Sequence, residues 1–391
     1  MLDMEAIKNF SIDKSGWKNV KFGDVVFEPK ESVKDPVVEG IEHVVGLEHI
    51  DSGDMHLRRS ASIEESTTFT KKFSNGDVLF GRRRAYLKKA AKADFEGICS
   101  GDITVMRAKV ALLLPELLPF VVNNDKFFEY AITHSAGGLS PRVKFKDLAN
   151  YNLHLPNEAL QKSICLLLTS LKNSNQKQLE LLANLKTLRN CTLKEIFNNS
   201  GDEQSLADIF QIVTGFPYKS KLFNEDGKGK KLMRGINIKE GKFHWSKKID
   251  RYYDGTDGLD DKYVTRAGDI LVPMDGSKLG LNYGEVSVAE EGTLLVQRIA
   301  SFRSKNKLST QLFKAYLSSF NFIKFIEKNN TTSAIPHISL SQLKTIKLPC
   351  ISSEVAKQLN IILEIDNSIE NLNLNIQANN RFLNNIINKV F

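Results

Sequence analysis

Ile361-Ile362-Leu363-Glu364-Ile365-Asp366-Asn367-Ser368-Ile369-Glu370-Asn371-Leu372-Asn373-Leu374-Asn375-Ile376 belongs to a stretch that, after Leu348-Pro349, holds no further proline or glycine. Within it Ile362, Ile365, Ile369, Leu372 and Ile376, then Leu383, Ile386 and Val390, follow alternating steps of three and four. Only Asn379 interrupts them. This spacing draws one apolar stripe along a helix, the a/d seam of a coiled coil. Nine asparagines between residues 366 and 391 give that helix little intrinsic propensity. Burial of the stripe against a partner must therefore hold it.

The chain contains a partner. Leu155-Pro156 opens a second stretch free of proline and glycine, which ends at Gly201. Its seam reads Ile164, Leu167, Leu171, then polar Ser174 and Gln178, then Leu181, Leu185 and Leu188. An antiparallel pairing with Ile164 opposite Val390 sets Ser174 opposite residue 380, beside Asn379. The polar seam residues are expected to meet there and fix the register. About 38 residues at about 1.5 Å rise make each helix roughly 55–60 Å long, a strut between two globular units.

Those units say the same thing twice. Gly76-Asp77-Val78-Leu79 returns 192 residues later as Gly268-Asp269-Ile270-Leu271. Pro141-Arg142-Val143 with Leu148 returns after 195 as Pro336-His337-Ile338 with Leu343, and Leu155-Pro156 returns after 193 as Leu348-Pro349. Each copy begins with short apolar runs between glycines and aspartates: Val44–Leu47, Asp77–Phe80 and Ile103–Met106, then Ile236–Ile238, Ile270–Val272 and Val286–Val288. These read as strands. A helical stretch follows in each, Leu117 to His134 and Leu312 to Asn329, with Phe127, Phe128, Phe322 and Phe325 facing inward. The expected fold class is α+β with pseudo-two-fold internal duplication. Residues 1–155 and 201–348 form two mixed units, and residues 156–200 and 349–391 form two long antiparallel coiled-coil helices.

The length of 391 residues suits several domains, and 41% hydrophobic residues suffice for packed cores. Cys99, Cys165, Cys191 and Cys350 stand alone, without a CxxC pair, so a disulfide scaffold and a zinc module are both disfavoured. The acidic opening Met1–Glu5 does not resemble a signal peptide, and the most apolar segment, Ala111–Val122, is short and carries Glu116. A cytoplasmic protein without a membrane partner is expected. The net charge of +8 divides into +3 over residues 1–200 and +5 over the remainder, so both halves are mildly basic. Such a balance permits a polyanionic partner without proving one.

Two basic units at a fixed separation suit duplex DNA, where half-site spacing mirrors the separation of the readers. Directly after the strand at Asp77–Phe80 comes Arg82-Arg83-Arg84-Ala85-Tyr86-Leu87-Lys88-Lys89. Such a cluster neutralises phosphates, and arginine is the commonest reader of guanine. A merely solvated charge run is the competing reading. The same place in the second copy reads Met274-Asp275-Gly276-Ser277-Lys278-Leu279-Gly280-Leu281-Asn282. Ser277, Lys278 and Asn282 can donate to phosphate or base edges, while a plain hairpin turn explains the segment equally well. Lys219, Lys228, Lys230 and Lys231 could add phosphate contacts, or form a mobile basic loop.

Catalytic patterns are missing: there is no GxxxxGK[ST], HExxH, GxSxG or GxGxxG, and no Asn-Pro-Pro-aromatic or Asp-Pro-Pro-aromatic quartet. The seven histidines are scattered, and Asp77 and Asp269 are adequately explained as turn formers. No catalytic residue, metal ligand or cofactor site is assigned. The chain reads as a binder.

Taken in order, these features resemble the specificity (S) subunits of type I restriction–modification systems. The resemblance runs from Trp17–Val25, with Gly23-Asp24-Val25, and its second copy Ser205-Leu206-Ala207-Asp208-Ile209, through the Gly-Asp strands to both Leu-Pro breaks. Leu79–Leu87, continuing to Gly97-Ile98-Cys99-Ser100-Gly101-Asp102, looks like one class of target recognition domain. The chain departs from the family's usual second proline and Glu-Gln pair: it has Asn157-Glu158 with Gln161-Lys162, and Cys350 with Lys357-Gln358. The resemblance implies that each recognition domain reads one half of a bipartite target in double-stranded DNA while the helices set the gap. It implies that the helices dock two methyltransferase (M) subunits that methylate adenine with S-adenosylmethionine, and it leaves room for restriction (R) subunits driven by ATP with magnesium. Those cofactors would sit in the partner subunits. The competing readings are a helical assembly scaffold that binds only protein, and an RNA-binding module, for which no RNP-type aromatic motif speaks.

Overall fold

Gly76 and Gly268, the glycines of the repeated Gly-Asp pair, have φ of 93° and 90°, where a side chain is strained. Each turns the chain into a central strand, Val78–Gly81 or Ile270–Pro273. The aspartates that follow do more than form turns. Asp77 is buried and accepts from Arg107 Nε and Nη2 at 2.7 and 2.8 Å and from the backbone N–H of Ser74 at 2.8 Å. Asp269 is buried and accepts from Arg303 Nε and Nη2, both at 2.7 Å, and from the backbone N–H of Arg266 at 2.9 Å. The two-pronged pair ties the entry of one strand to its neighbour, which is why the motif occurs twice.

The computed structural model describes residues 12–63, 68–198, 201–276, 282–304, 306–329 and 337–391. They fall into two units, Met1–Glu180 with Asn373–Phe391, and Leu181–Leu372. Each long helix is thus divided between units, whereas the sequence reading treats the helices as segments of their own.

In the first unit one sheet has the strand order Val26–Phe27, Ile103–Ala108, Val78–Gly81, Ala90–Lys92. A second sheet runs Ala61–Ser62, His43–Val45, Gly97–Cys99, Lys71–Phe73, with the middle pair parallel. The second unit repeats the first sheet as Gln211–Thr214, Ile299–Arg303, Ile270–Pro273, Gly284–Glu285. It also has a four-stranded sheet containing one parallel pair, Lys230–Met233 with Leu294–Leu295. A two-stranded ribbon closes each unit, Lys18–Lys21 on Asn152–Leu155 and Glu203–Ser205 on Lys347–Pro349, and these ribbons carry the Leu-Pro breaks.

Four expected elements differ. Ile236-Asn237 lies in the short turn Gly235–Asn237, because the Asn237 side chain accepts from the Arg234 N–H and bends the backbone. Val286–Val288 is not a strand, and the edge strand is Gly284–Glu285. Each expected central helix is broken in two: Leu118–Val122 and Asp125–Thr133, then Lys307–Leu317 and Phe320–Asn329. Asn124 supplies the first break by capping the N–H of Lys126. Phe127, Phe128 and Phe322 are buried, and Phe325 is half-buried against the second core.

The long helices are Glu158–Asn198 and Ser353–Val390. In the first unit Ile164 and Leu168 pack in one core with Leu383, Ile386 and Val390, while Asn175 Nδ2 donates to Asn380 Oδ1 at 2.9 Å. The partners run in opposite directions, so the pair is antiparallel. Asn379 Nδ2 donates to Gln178 Oε1 at 3.1 Å, completing a polar layer in the seam. In the second unit Leu193 and Ile196 share a core with Val355, Leu359 and Ile362, and Arg189 Nε donates to Asp366 Oδ1 at 2.5 Å.

The phase of the first helix needs correction. Leu167, Leu181 and Leu188 are 44, 50 and 52% exposed, whereas Leu168 is fully buried and Leu182 nearly so. Ser174 is exposed, and Asn175 takes its place. The buried face steps by four and then three from Ile164, not by three and then four. Leu166-Leu167-Leu168 and Leu181-Leu182 put leucine on both candidate stripes, so spacing alone cannot choose. Leu171 and Leu185 are half-buried and serve either phase. On the second helix Ile362, Ile365, Leu372, Ile376, Leu383 and Ile386 are buried, and Ile369 and Asn379 half-buried. Gln161, at the departure from the family pattern, is buried: its Nε2 donates to the carbonyls of Leu112 and Pro156, and its Oε1 accepts from the Leu114 N–H.

Candidate nucleic-acid interface

The basic run leaves the central strand of the first unit under backbone constraint. The Arg82 N–H donates to the Asp102 carbonyl at 2.9 Å, and the Val143 N–H donates to the Arg82 carbonyl at 3.0 Å. Arg83 then bridges Arg142. Arg84 and Lys88 have φ of 56° and 49° on either side of the turn Ala85–Leu87. Left-handed backbone at two non-glycine residues costs about 1–2 kcal/mol each and gathers at functional loops. The turn it shapes presents Tyr86, which is 52% exposed, together with exposed Leu87.

The five cations are not equivalent. Asp102 accepts from Arg83 Nη1 at 2.9 Å and from Arg142 Nε at 2.7 Å. Arg142 above all, then Arg83, holds the Asp102 carboxyl below the ordinary carboxylate range, against the opposing effect of burial. Lys88 Nζ meets Asp125 Oδ1 at 2.5 Å, and Lys89 Nζ donates to the Leu47 carbonyl at 2.6 Å. Among the described residues the guanidinium groups of Arg82 and Arg84 have no such anchor, and their Nε atoms are buried without a partner. Arg82, Arg84 and Tyr86 are therefore the groups free to meet a ligand, while Arg83, Lys88 and Lys89 also brace the loop.

The second unit builds the same frame with other side chains. The Met274 N–H donates to the Arg298 carbonyl at 2.9 Å, the Ile338 N–H donates to the Met274 carbonyl at 2.8 Å, and Asp275 bridges His337. Ser277 and Lys278 lie outside the described residues. Asn282 is half-buried and lines a cleft with Asp275 and Lys239, and its Oδ1 is buried without a partner among the described residues. Lys219 stands outside this frame, exposed before the turn Ser220–Leu222 and paired with Asp257 at 3.3 Å. Lys230 and Lys231 belong to a strand rather than a loose loop, and Lys231 is engaged by Asp250 at 3.1 Å and by the Trp245 ring at 3.8 Å.

Cys99 is buried, and desolvation pushes its thiol up to about 12. Among the described residues no group of three His, Cys, Asp or Glu side chains could hold a metal ion. Among them, too, no helix is long and apolar enough to cross a membrane.

The described residues form a duplicated α+β frame with paired long helices, and the same central strand ends beside polar residues in each copy. Residues 202–380 match the family described as "Type I restriction modification DNA specificity domain". The chain is 29% identical over 173 residues to the type I restriction enzyme EcoAI specificity subunit of Escherichia coli, which covers 43% of this chain and 28% of that protein. It is 27% identical over 144 residues to the MjaVIII specificity subunit of Methanocaldococcus jannaschii, which covers 34% of this chain and 32% of that protein. The chain thus matches less than a third of the length of either relative. In fold the likeness covers the whole chain. The S subunit of a type I restriction-modification system from M. genitalium matches 98% of both chains with TM-score 0.61 at 14% identity. A chain from a structure of type I R-M complex assembly matches 96% of both with TM-score 0.60 at 19% identity. The resemblance to specificity subunits holds in sequence over the second copy and in fold over both.

Proposed function

We propose that this chain is the DNA sequence-recognition subunit of a type I restriction–modification assembly, with each unit reading one half of a bipartite duplex target. The observation that carries the reading is the repeated backbone frame, which ends the same strand beside different polar and charged side chains in each unit. One frame with two sets of side chains suits two different half-sites. Arg82, Arg83, Arg84, Tyr86, Lys88 and Lys89 serve the first, with Arg82 and Arg84 contacting phosphate or guanine. Ser277, Lys278, Asn282 and Lys219 serve the second. The long helices set the unread gap and dock two methyltransferase subunits, to which restriction subunits can be added. S-adenosylmethionine, and ATP with magnesium, are bound by those partners, and this chain performs no chemistry.

A helical scaffold without DNA readout would use the same helices, and one experiment separates the two. The variant with Arg82 and Arg84 both changed to Ala is titrated with duplex DNA across a range of salt. Recognition predicts weaker binding and a slope of log K against log salt shallower by about 2, one for each lost phosphate contact. An unchanged slope with intact binding of protein partners supports the scaffold instead.

A further inference from the structure

The two frames differ most in the residue just before the strands Ile103–Ala108 and Ile299–Arg303. In the first unit it is Asp102, a carboxylate clamped between two arginines at 2.7 and 2.9 Å. In the second it is Arg298, whose carbonyl makes the same bond to Met274 that Asp102 makes to Arg82. Arg298 faces the residues at the corresponding bridge positions, Asp275 and His337. The charge pattern is reversed: cation, anion, cation in the first unit; anion, cation, imidazole in the second.

Asp102 is spent on its neighbours, and Arg298 is not. The Arg298 Nε lies 3.9 Å from Asp275 Oδ2, beyond hydrogen-bond reach. Its Nη1 lies 3.4 Å from both ring nitrogens of His337, so the guanidinium rests against the imidazole, and its side chain is 57% exposed. Its φ of 70° keeps this arginine in a conformation that glycine would adopt without strain. A steered, exposed and loosely paired guanidinium is a donor fork awaiting an acceptor pair.

We infer that Arg298 is a specificity-determining residue of the second unit and reads a guanine edge in the major groove, donating to O6 and N7. This rests on the recognition reading above. Asp275 and His337 aim the fork, and loss of the arginine changes the choice of base at one position of one half-site. Lysine keeps the charge but not the fork.

The test is selection of bound sequences from a randomised duplex DNA library by the full-length chain, using wild type, R298A, R298K and R298G side by side. Wild type is expected to return two sequence blocks, with guanine fixed at one position of the block that all three variants alter. The preference for guanine there should fall roughly five- to hundred-fold in R298A and R298K, while the other block is unchanged. R298G should lose the same preference with a thermal midpoint no lower than that of wild type, which separates lost readout from lost folding. A full consensus retained by R298A overturns the assignment and leaves the recognition reading standing. A guanine preference retained by R298K shows that charge without the fork suffices, and a uniform loss over all sequences makes the contact one to phosphate; either result overturns the assignment. If wild type itself returns no consensus, the recognition reading fails.

Discussion

Arg107 and Arg303 are held by buried carboxylates in the same way, so the same Asp→Asn substitution tests each copy of the frame. The Asp77 and Asp269 bonds raise the affinity of the two guanidinium groups for their protons. Asp77→Asn leaves Arg107 with the more exposed Glu31, 2.9 Å from its Nη1, and is expected to cost about 2–3 kcal/mol, read from urea unfolding, with Asp269→Asn costing at least as much. Lys172 poses the opposite problem. Burial, foremost, pushes its pKa from 10.5 down to about 8, and its ammonium faces the Phe120 ring at 5.8 Å. Between about pH 8 and 10.5 the unfolded chain holds a proton that the folded chain has released, so this lysine's contribution to stability rises with pH across that window. Lys172→Met is therefore expected to raise the urea midpoint at pH 7.5, with the advantage shrinking by pH 10. An advantage that stays constant with pH would show that the lysine carries no such penalty. Neither the ion pairs nor this lysine was legible in the sequence, because a turn-forming aspartate and a helix-surface lysine look the same until the neighbouring strand or ring is in place.

At the scale of the element, the paired helices test which stripe is buried. Leu168→Ala should cost about 2–5 kcal/mol and Leu167→Ala no more than about 0.5 kcal/mol. Equal costs would mean that the seam has the other phase. The polar layer gives a second test, because Asn175 is only 7% exposed and depends on Asn380 for the one bond its amide makes across the pair. Asn380→Ala should cost about 1–3 kcal/mol, while changing Asn175 and Asn380 together to Leu should recover most or all of it. The existence of the helices, their antiparallel sense and the neighbourhood of their polar layer were readable from Leu-Pro breaks and heptad spacing. The phase was not, since runs of adjacent leucines satisfy two stripes equally. Asn379 joined Gln178 rather than a serine for the same reason: one step of phase exchanges Ser174 for Asn175 at the seam.

For the whole molecule, duplication was the legible fact, and it carried the α+β class and the specificity-subunit resemblance with it. The basic loop of the first unit was visible as a run of charge. Arg298 was not, because its importance comes from backbone bonds joining Met274 to Arg298 and to Ile338, far apart in sequence and matched to a frame in the other copy. A lone arginine between glutamine and isoleucine carries no local signal. The proposed recognition reading requires that two non-identical readers choose the DNA sites at which partner subunits act. It is tested most directly by mapping methylated adenines across the genome of cells carrying the chain with its methyltransferase subunits, with wild type compared against the variant lacking Arg82 and Arg84. The account predicts a motif of two defined blocks around a gap of constant length, with only one block degraded in the variant. A continuous motif, or a methylation pattern indifferent to deletion of this chain, would contradict it.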